Sequence, residues 1–177
     1  MQHPSANAIK WLAGRASARI PIAKPLIGDE EQREVARVLS SGSLAQGPEV
    51  KAFEREFAAY CGTKHALATT NGTTALHLAL LAAGVGPGDE VIYPDPGFPV
   101  YESVTLYAGA KPVPLPILEE NDFRFTTADL RERVTGRTRL LILNYPHNPT
   151  GGTLAQAELE EIAEIAVEND LIVLSDE

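Results

Sequence analysis

Hydrophobic residues follow two different spacings along the chain, and the change occurs near Gly62. Before this point they recur every three or four positions, which is the spacing of one helix face. The first predicted helix opens at Asp29, with Asp29 as N-cap and Gln32 three residues later, and ends at Ser41-Gly42. The second begins at Pro48 and ends at Gly62. Its apolar stripe, which we expect to pack in a core, is Val50, Phe53, Phe57 and Tyr60.

Beyond Gly62, short apolar runs alternate with helical patterns. The predicted strands are 65–70, 90–93, 111–117, 139–144 and 171–175, and the predicted helices are 73–83, 99–107 and 155–168. The first of these helices is almost wholly apolar and should be buried, and the last should turn Leu159, Ile162, Ile165 and Ala166 inward. Buried strands separated by helices predict an α/β fold with a mainly parallel sheet and helices on both faces. The prolines within 111–117 favour the edge of that sheet.

Composition and charge exclude several classes of protein. The 177 residues are 44% hydrophobic and 22% charged, which is ordinary for a globular chain. The net charge is -9, and most of the excess lies in residues 61–177, with 17 acidic and 7 basic side chains. This charge disfavours nonspecific nucleic-acid binding. No apolar run is long enough to span a bilayer. The single cysteine, Cys61, excludes an internal disulfide. We therefore expect a soluble, cytoplasmic protein without nucleic-acid or membrane partners and without a metal site.

The patterns divide the chain into three parts. Residues 1–19 carry three basic and no acidic side chains and are predicted to be a tail. Residues 20–62 form an amino-terminal helical segment, and residues 63–177 form a larger domain. The chain stops directly after the apolar run 171–175, where complete domains rarely end, so we expect it to be the front part of a longer protein.

Polar and glycine-rich segments follow four of the predicted strands. Ligands of parallel α/β sheets bind beyond the carboxyl ends of the strands, so these segments should meet at one edge. The candidate residues there are Asn71, Gly72, Thr73, Phe98, Asn148 and Asp176. Each has an ordinary structural alternative, namely a turn and N-cap at Asn71, core packing at Phe98, a turn at Asn148 and a strand-terminal cap at Asp176. Their shared edge favours a binding site, and the glycine-rich helix start suits an anion.

Two motif sets give the chain a resemblance to known enzymes. The stretch 89–177, with Pro96-Gly-Phe-Pro-Val-Tyr101, Asn148-Pro-Thr-Gly151 and Ser175-Asp-Glu177, resembles class I/II aminotransferases that use pyridoxal phosphate. The stretch 20–91, with Asn71-Gly-Thr-Thr-Ala-Leu-His-Leu-Ala-Leu80, is more similar to the DegT/DnrJ/EryC1/StrS sugar aminotransferases. Both families share one fold, so the resemblance implies an aspartate-aminotransferase-like, fold-type I large domain that is incomplete at its carboxyl end. It also implies pyridoxal 5′-phosphate as cofactor. Because its two parts resemble different families, the chain resembles a mosaic of the two.

The resemblance assigns a role to each candidate residue. Asp176 would meet the ring nitrogen of the cofactor and keep it protonated, Asn148 would bond its phenolic oxygen, and Phe98 would lie on its ring face. Gly72 and Thr73 would hold the phosphate, together with Asn71. Class I enzymes commonly have Ser at the position of Asn71, so the contact made by its amide stays open.

The catalytic lysine of these families has no counterpart here. That lysine bonds covalently to the cofactor and lies downstream of the position matched by Asp176. All lysines of this chain lie upstream of it, and they are Lys10, Lys24, Lys51, Lys64 and Lys111. The resemblance therefore predicts no catalytic residue within the chain, which should be inactive alone.

The resemblance implies an aminotransferase that moves an amino group between an amino acid and a keto acid through pyridoxamine phosphate. A keto-sugar acceptor of the DegT type is the alternative. A lyase or decarboxylase using the same cofactor and a non-catalytic sensor on the same fold also stay open. Enzymes of this fold are homodimers, which is the assembly that the resemblance predicts.

Overall fold

A computed structural model describes residues 25–176 of the chain. These residues fall into two compact units, one ending at His65 and the other beginning at Ala66, which are described separately. The predicted tail, 1–19, lies outside the described residues. Among the described helices, none has both the length and the apolar character that crossing a membrane requires.

The first unit contains two helices, α1 (Asp29–Ser41) and α2 (Pro48–Tyr60). The predicted end of α1 at Ser41 and start of α2 at Pro48 are confirmed, whereas α2 ends at Tyr60, two residues before the predicted Gly62. The left-handed Gly42 closes α1 by donating its N–H to the carbonyl of Leu39. The predicted N-cap is wrong, because Gly28 rather than Asp29 occupies that position. The Glu31 carboxylate accepts the N–H of Gly28 at 2.7 Å, so a side chain of the first turn satisfies this donor.

The apolar stripe of α2 is less buried than predicted. Phe53, Phe57 and Tyr60 are 57%, 49% and 89% exposed, whereas Ala58 is buried. The expectation that the stripe packs in a core is therefore wrong for these three aromatic residues. A unit with two described helices of 13 residues has too little surface to cover them.

The second unit is built on a four-stranded parallel sheet. Its strands are β1 (Glu90–Asp95), β2 (Lys111–Pro116), β3 (Thr138–Asn144) and β4 (Ile172–Asp176), in the order β2-β1-β3-β4. This arrangement confirms the predicted parallel sheet and the edge position of the proline-rich strand.

Two predictions about strands are wrong. The stretch 65–70 is not a strand of the described sheet, and its Leu67 is 71% exposed. A strand is defined by ladder hydrogen bonds to a neighbour, which a short apolar run does not guarantee. The strand β4 was expected to be buried, yet Ile172 and Val173 are 37% and 41% exposed because β4 is the last strand on its side of the described sheet.

Four α-helices accompany the sheet, namely α3 (Gly72–Ala82), α4 (Val100–Tyr107), α5 (Thr127–Arg133) and α6 (Gln156–Glu168), and a 3₁₀ turn covers Glu119–Asn121. Three of them match predicted helices within one residue at each end. The sequence reasoning missed α5, although Thr126 and Asp129 form a capping box in which each side chain accepts the other's backbone N–H. That Thr-x-x-Asp spacing was the available signal.

Hydrophobic cores lie on both faces of the sheet, as predicted. One core joins Leu76, Leu80, Tyr101 and Val104 of α3 and α4 to Val91, Tyr93, Leu140 and Ile142 of the strands. The other joins Leu130, Ile162 and Ile165 of α5 and α6 to Ile92, Leu115, Leu141 and Leu143. Alternate residues of β1 and β3 enter opposite cores because side chains alternate along a strand.

Two helices leave apolar residues outside the core, against prediction. In α3, Leu78 and Leu81 are 39% and 50% exposed, so this helix is not wholly buried. In α6, Ile162, Ile165 and Ala166 are buried, but Leu159 is 44% exposed. A helix that packs on one layer buries one stripe, whatever the hydrophobicity of its other residues.

Candidate active site

The carboxyl edge of the sheet opens into a cavity of about 300 Å³. Three of the predicted site residues line it, and they come from three different segments: Gly72 from the start of α3, Phe98 from the loop after β1, and Asp176 from the end of β4. The remaining lining residues are Ala75, Leu76, Ala79, Leu174 and Ser175. The cavity therefore has mostly apolar walls with a carboxylate and a helix start on its rim.

Two buried polar side chains fix Asp176. The Tyr101 hydroxyl donates to Oδ2 of Asp176 at 2.7 Å, and Nδ2 of Asn144 donates to its main-chain carbonyl at 2.8 Å. Tyr101 is fully buried, and burial together with the contact to Asp176 raises the pKa of its phenol. The phenol is therefore a permanent hydrogen-bond donor to this carboxylate.

The start of α3 presents backbone N–H groups to the same edge. Asn71 is the N-cap, and its Oδ1 accepts the N–H of Thr74 at 2.9 Å and the Thr74 hydroxyl at 3.1 Å. Among the described residues, the N–H groups of Gly72 and Thr73 have no acceptor, as expected in the first turn of a helix. The Asn71 side chain thus performs the capping role, and the two N–H groups beside it can take an anion.

Phe98 lies between the cavity and the core. Its ring is 38% exposed and meets the Tyr101 ring edge-on, with centroids 5.8 Å apart and planes at 76°. The preceding Gly97 has no room for a side chain, because a Cβ there would overlap the carbonyl oxygen of Pro94. The tight backbone turn at Gly97 therefore sets where the Phe98 ring lies.

Asn148 is not among the residues that line the cavity. It is exposed, and its backbone N–H donates to Oδ1 of Asn144 at 2.9 Å. The loop around it is held by His147, which is 2% exposed and contacts the Thr150 hydroxyl through Nδ1 at 2.8 Å. Burial lowers the pKa of His147, which favours the neutral ring.

Sequence reasoning missed Tyr101 and Asn144 as site residues. Asn144 is 6% exposed at the end of β3, and its amide joins two segments of the site by contacting both Asp176 and the Asn148 backbone. An amide that ends an otherwise apolar strand was one available signal. Tyr101 had a weaker one, its position three residues after Phe98 in the same motif.

A family model decides the classification of the chain. The model of the DegT/DnrJ/EryC1/StrS aminotransferase family matches residues 25–177. The chain belongs to this family. A DegT-family relationship agrees with the predicted fold-type I architecture and with the aminotransferase expectation.

Relatives of this DegT-family chain include aminotransferases and a polysaccharide-biosynthesis protein. It is 40% identical over 157 residues to the spore coat polysaccharide biosynthesis protein SpsC of Bacillus subtilis, which covers 89% of the chain and 39% of SpsC. It is 47% identical over 108 residues to aromatic-amino-acid aminotransferase 2 of Thermococcus litoralis, which covers 61% of the chain and 28% of the relative. The chain thus spans less than half the length of both.

A solved structure agrees with the fold of this DegT-family chain. The X-ray structure of the aminotransferase from Psychrobacter cryohalolentis superposes with a TM-score of 0.74 at 30% identity. The superposition covers 88% of this chain and 38% of that one. The predicted α/β, aspartate-aminotransferase-like fold is therefore confirmed.

Proposed function

We propose that the protein to which this chain contributes is a pyridoxal 5′-phosphate-dependent aminotransferase. The observation that carries the proposal is that Gly72, Phe98 and Asp176 line the same cavity in a member of an aminotransferase family. The chain spans only part of its relatives, so the activity proposed is that of the whole protein.

The residues of the cavity fit this cofactor. A volume of about 300 Å³ lies at the lower end of the range for small-molecule sites. Gly72 in the lining, and Thr73 next to it in the chain, offer to a phosphate N–H groups that have no acceptor in the described chain. Asp176 offers a carboxylate to a pyridinium N–H, and Phe98 offers a ring face. These three kinds of group match the three chemically distinct parts of the cofactor.

We assign each of these residues one role in the proposed chemistry. When bound, the cofactor supplies an electron sink for the carbon that bears the amino group. Asp176 keeps a proton on the ring nitrogen through its negative charge, and the apolar walls around it strengthen that interaction by excluding water. Gly72 and Thr73 anchor the phosphate, and Phe98 limits the tilt of the ring. We propose that Asn148 contacts the phenolic oxygen of the cofactor. Asn71 would lie beside the phosphate.

The amino acceptor is proposed as a keto acid, with a keto sugar as second candidate. The identity of 47% to an aromatic-amino-acid aminotransferase favours the keto acid. The family match over residues 25–177 and the longer alignment with a polysaccharide-biosynthesis protein favour the keto sugar. An assay distinguishes the two candidate acceptors. The protein is first given an amino donor and then offered either a keto acid or a nucleotide-linked keto sugar, and the aminated product is measured.

Two further parts of the proposal concern the complete protein. We propose, from the resemblance, that the lysine which bonds to the cofactor comes from outside these 177 residues. None of the lysines in the described residues, which are Lys51, Lys64 and Lys111, is among the residues that line the cavity. We also propose that the protein works as a homodimer, as its resemblance implies, which sedimentation velocity would test.

Variants at the cavity test the proposal. We expect Asp176→Asn to lower single-turnover amino transfer at saturating cofactor by about 10²-fold or more, because a preorganised charge is lost. Phe98→Leu should mainly weaken cofactor binding, since ring stacking contributes about 0.5–1.5 kcal/mol. Asp170→Asn, at an exposed aspartate after α6, is the matched control and should change neither quantity.

The same assay separates the alternatives. Release of carbon dioxide with an amine, or of a thiol with ammonia, and no transfer of the amino group to an acceptor would replace the proposal by a decarboxylase or a lyase, respectively. Cofactor binding with no turnover of any amino acid would indicate a sensor. Equal losses for Asp176→Asn and Asp170→Asn would overturn the assignment of Asp176.

A further inference from the structure

The carboxylate of Asp176 is held asymmetrically. Its Oδ2 accepts the Tyr101 hydroxyl at 2.7 Å, whereas no partner of its Oδ1 is found among the described residues. Asp176 lines the cavity, and the Asn144 amide holds its main-chain carbonyl at 2.8 Å. One oxygen is therefore committed to the protein, and the other is left for a ligand.

Tyr101 is rigidly placed for this contact. It lies in the first turn of α4, is fully buried, and packs in the core formed by α3, α4 and one face of the sheet. The Phe98 ring stands edge-on against it at 5.8 Å. A buried phenol with a fixed ring has few alternative directions for its hydroxyl, so it restricts rotation of the carboxylate it contacts.

We infer that Tyr101 is a positioning residue that orients Asp176, so that Oδ1 faces the cavity and receives the ring N–H of a pyridine ligand. The inference rests on the proposed function and deepens it. The phenol acts only through Asp176 and needs no contact with the ligand.

The experiment measures binding rather than turnover. The pyridine probe is deoxypyridoxine 5′-phosphate, which has the pyridine nitrogen and the phosphate but no reactive aldehyde. The comparison ligand is the analogue of this probe in which C–H replaces the ring nitrogen. Tyr101→Phe removes the hydroxyl and keeps the buried ring. We expect the variant to bind the pyridine probe about tenfold more weakly, equivalent to about 1.4 kcal/mol, and the C–H analogue within twofold.

Tyr93→Phe is the matched control. Tyr93 lies in the same hydrophobic core as Tyr101, and no hydrogen bond of its hydroxyl is found in the described chain. Its loss should leave binding of both probes unchanged. In an Asp176→Asn background, Tyr101→Phe should have no further effect on the pyridine probe, because the group through which it acts is altered.

The outcomes are distinct. A merely structural role of Tyr101 would weaken both probes alike, and this result would overturn the inference, as would an unchanged affinity for the pyridine probe or an additive loss in the Asp176→Asn background. In each of these cases the unchanged protein still binds the pyridine probe, so the proposed function stands. If the unchanged protein binds neither probe, the proposed function fails and the inference fails with it.

Discussion

At the scale of single residues, the most buried charge of the described chain lies far from the cavity. Glu90 opens β1 with a side chain 2% exposed, and it accepts hydrogen bonds from Thr135 at 2.6 Å, Arg137 at 2.8 Å and Lys111 at 3.0 Å. The bonds from Thr135 and Arg137 lower the pKa of Glu90 from 4.5 to about 2, against the effect of burial. This cluster joins β1, β2 and the segment before β3 at the amino edge of the sheet.

Because of this lowered pKa, the free energy of unfolding should depend on pH. Because the folded pKa is below that of the unfolded chain, the contribution of Glu90 is complete above about pH 4.5 and is lost as the pH falls toward 2. We expect Glu90→Gln to lower the free energy of unfolding by about 2 kcal/mol at pH 7, since it removes bonds to a charged acceptor. It should also flatten the pH dependence between 4.5 and 2, measured by urea unfolding. Glu164→Gln, on the exposed face of α6, is the control, and parallel pH curves for the two variants would contradict the prediction.

Gly97 is a second residue whose identity is dictated by its surroundings. Any Cβ at this position would overlap the Pro94 carbonyl oxygen, so Gly97→Ala must move the loop that carries Phe98. We expect the substitution to destabilise the protein by about 1–3 kcal/mol and to weaken cofactor binding. Gly86→Ala, where a Cβ would meet nothing within 4 Å, should change neither quantity. Thermal unfolding and a binding titration of each variant would decide, and a neutral Gly97→Ala would show that the loop relaxes freely.

At the scale of elements, β3 separates two hydrophobic cores. Leu141 and Ile142 are neighbours in sequence, each is at most 1% exposed, and they enter opposite cores. A sheet covered on one face would bury only one of them. The element therefore holds the two halves of the second unit together through adjacent side chains.

Truncation of either residue should be costly. We expect Leu141→Ala and Ile142→Ala each to lower the free energy of unfolding by about 2–5 kcal/mol, because each leaves a cavity in a packed core. Val167→Ala, at an 82% exposed position of α6, should stay within about 0.5 kcal/mol of the unchanged protein. Denaturant unfolding monitored by circular dichroism measures all three. A large cost at only one of the two strand positions would mean that the sheet is covered on a single face.

At the scale of the whole molecule, charge limits the possible partners. The net charge is -9, and residues 61–177 carry 17 acidic against 7 basic side chains. Nonspecific nucleic-acid binding depends on cations that release counterions from phosphate. The net charge of these 177 residues therefore opposes such binding.

We expect no complex with duplex DNA at protein concentrations up to about 10⁻⁴ M at physiological salt, the weak limit of nonspecific binding. Fluorescence anisotropy of a labelled duplex is a suitable measurement. Lowering the salt should not rescue binding, because the long-range interaction is repulsive. A complex whose affinity falls steeply with salt would contradict the prediction and point to a cationic surface.

The sequence by itself determined the alternation of helices and strands, the covered sheet and the edge at which ligands would bind. These follow from local spacing and from the rule that parallel strands end on one side, so 90–93 and 139–144 were predicted close to their observed places. The sequence also supplied the motifs behind Asn71, Gly72, Thr73, Phe98, Asn148 and Asp176. Their roles toward a cofactor remain predictions.

Only the tertiary structure decided which of those residues share a cavity and what holds them. The contact of Tyr101 with Asp176 joins residues 75 positions apart, and that of Asn144 joins residues 32 positions apart. No local pattern encodes such pairs, because they depend on how α4 and β3 pack beside β4. Tertiary structure also decided the outcome for the stretch 65–70 and for Leu159. Their apolar character had predicted a strand in one case and burial in the other. Burial and strand pairing require a neighbouring surface, and that surface comes from the arrangement of other elements rather than from the residues themselves.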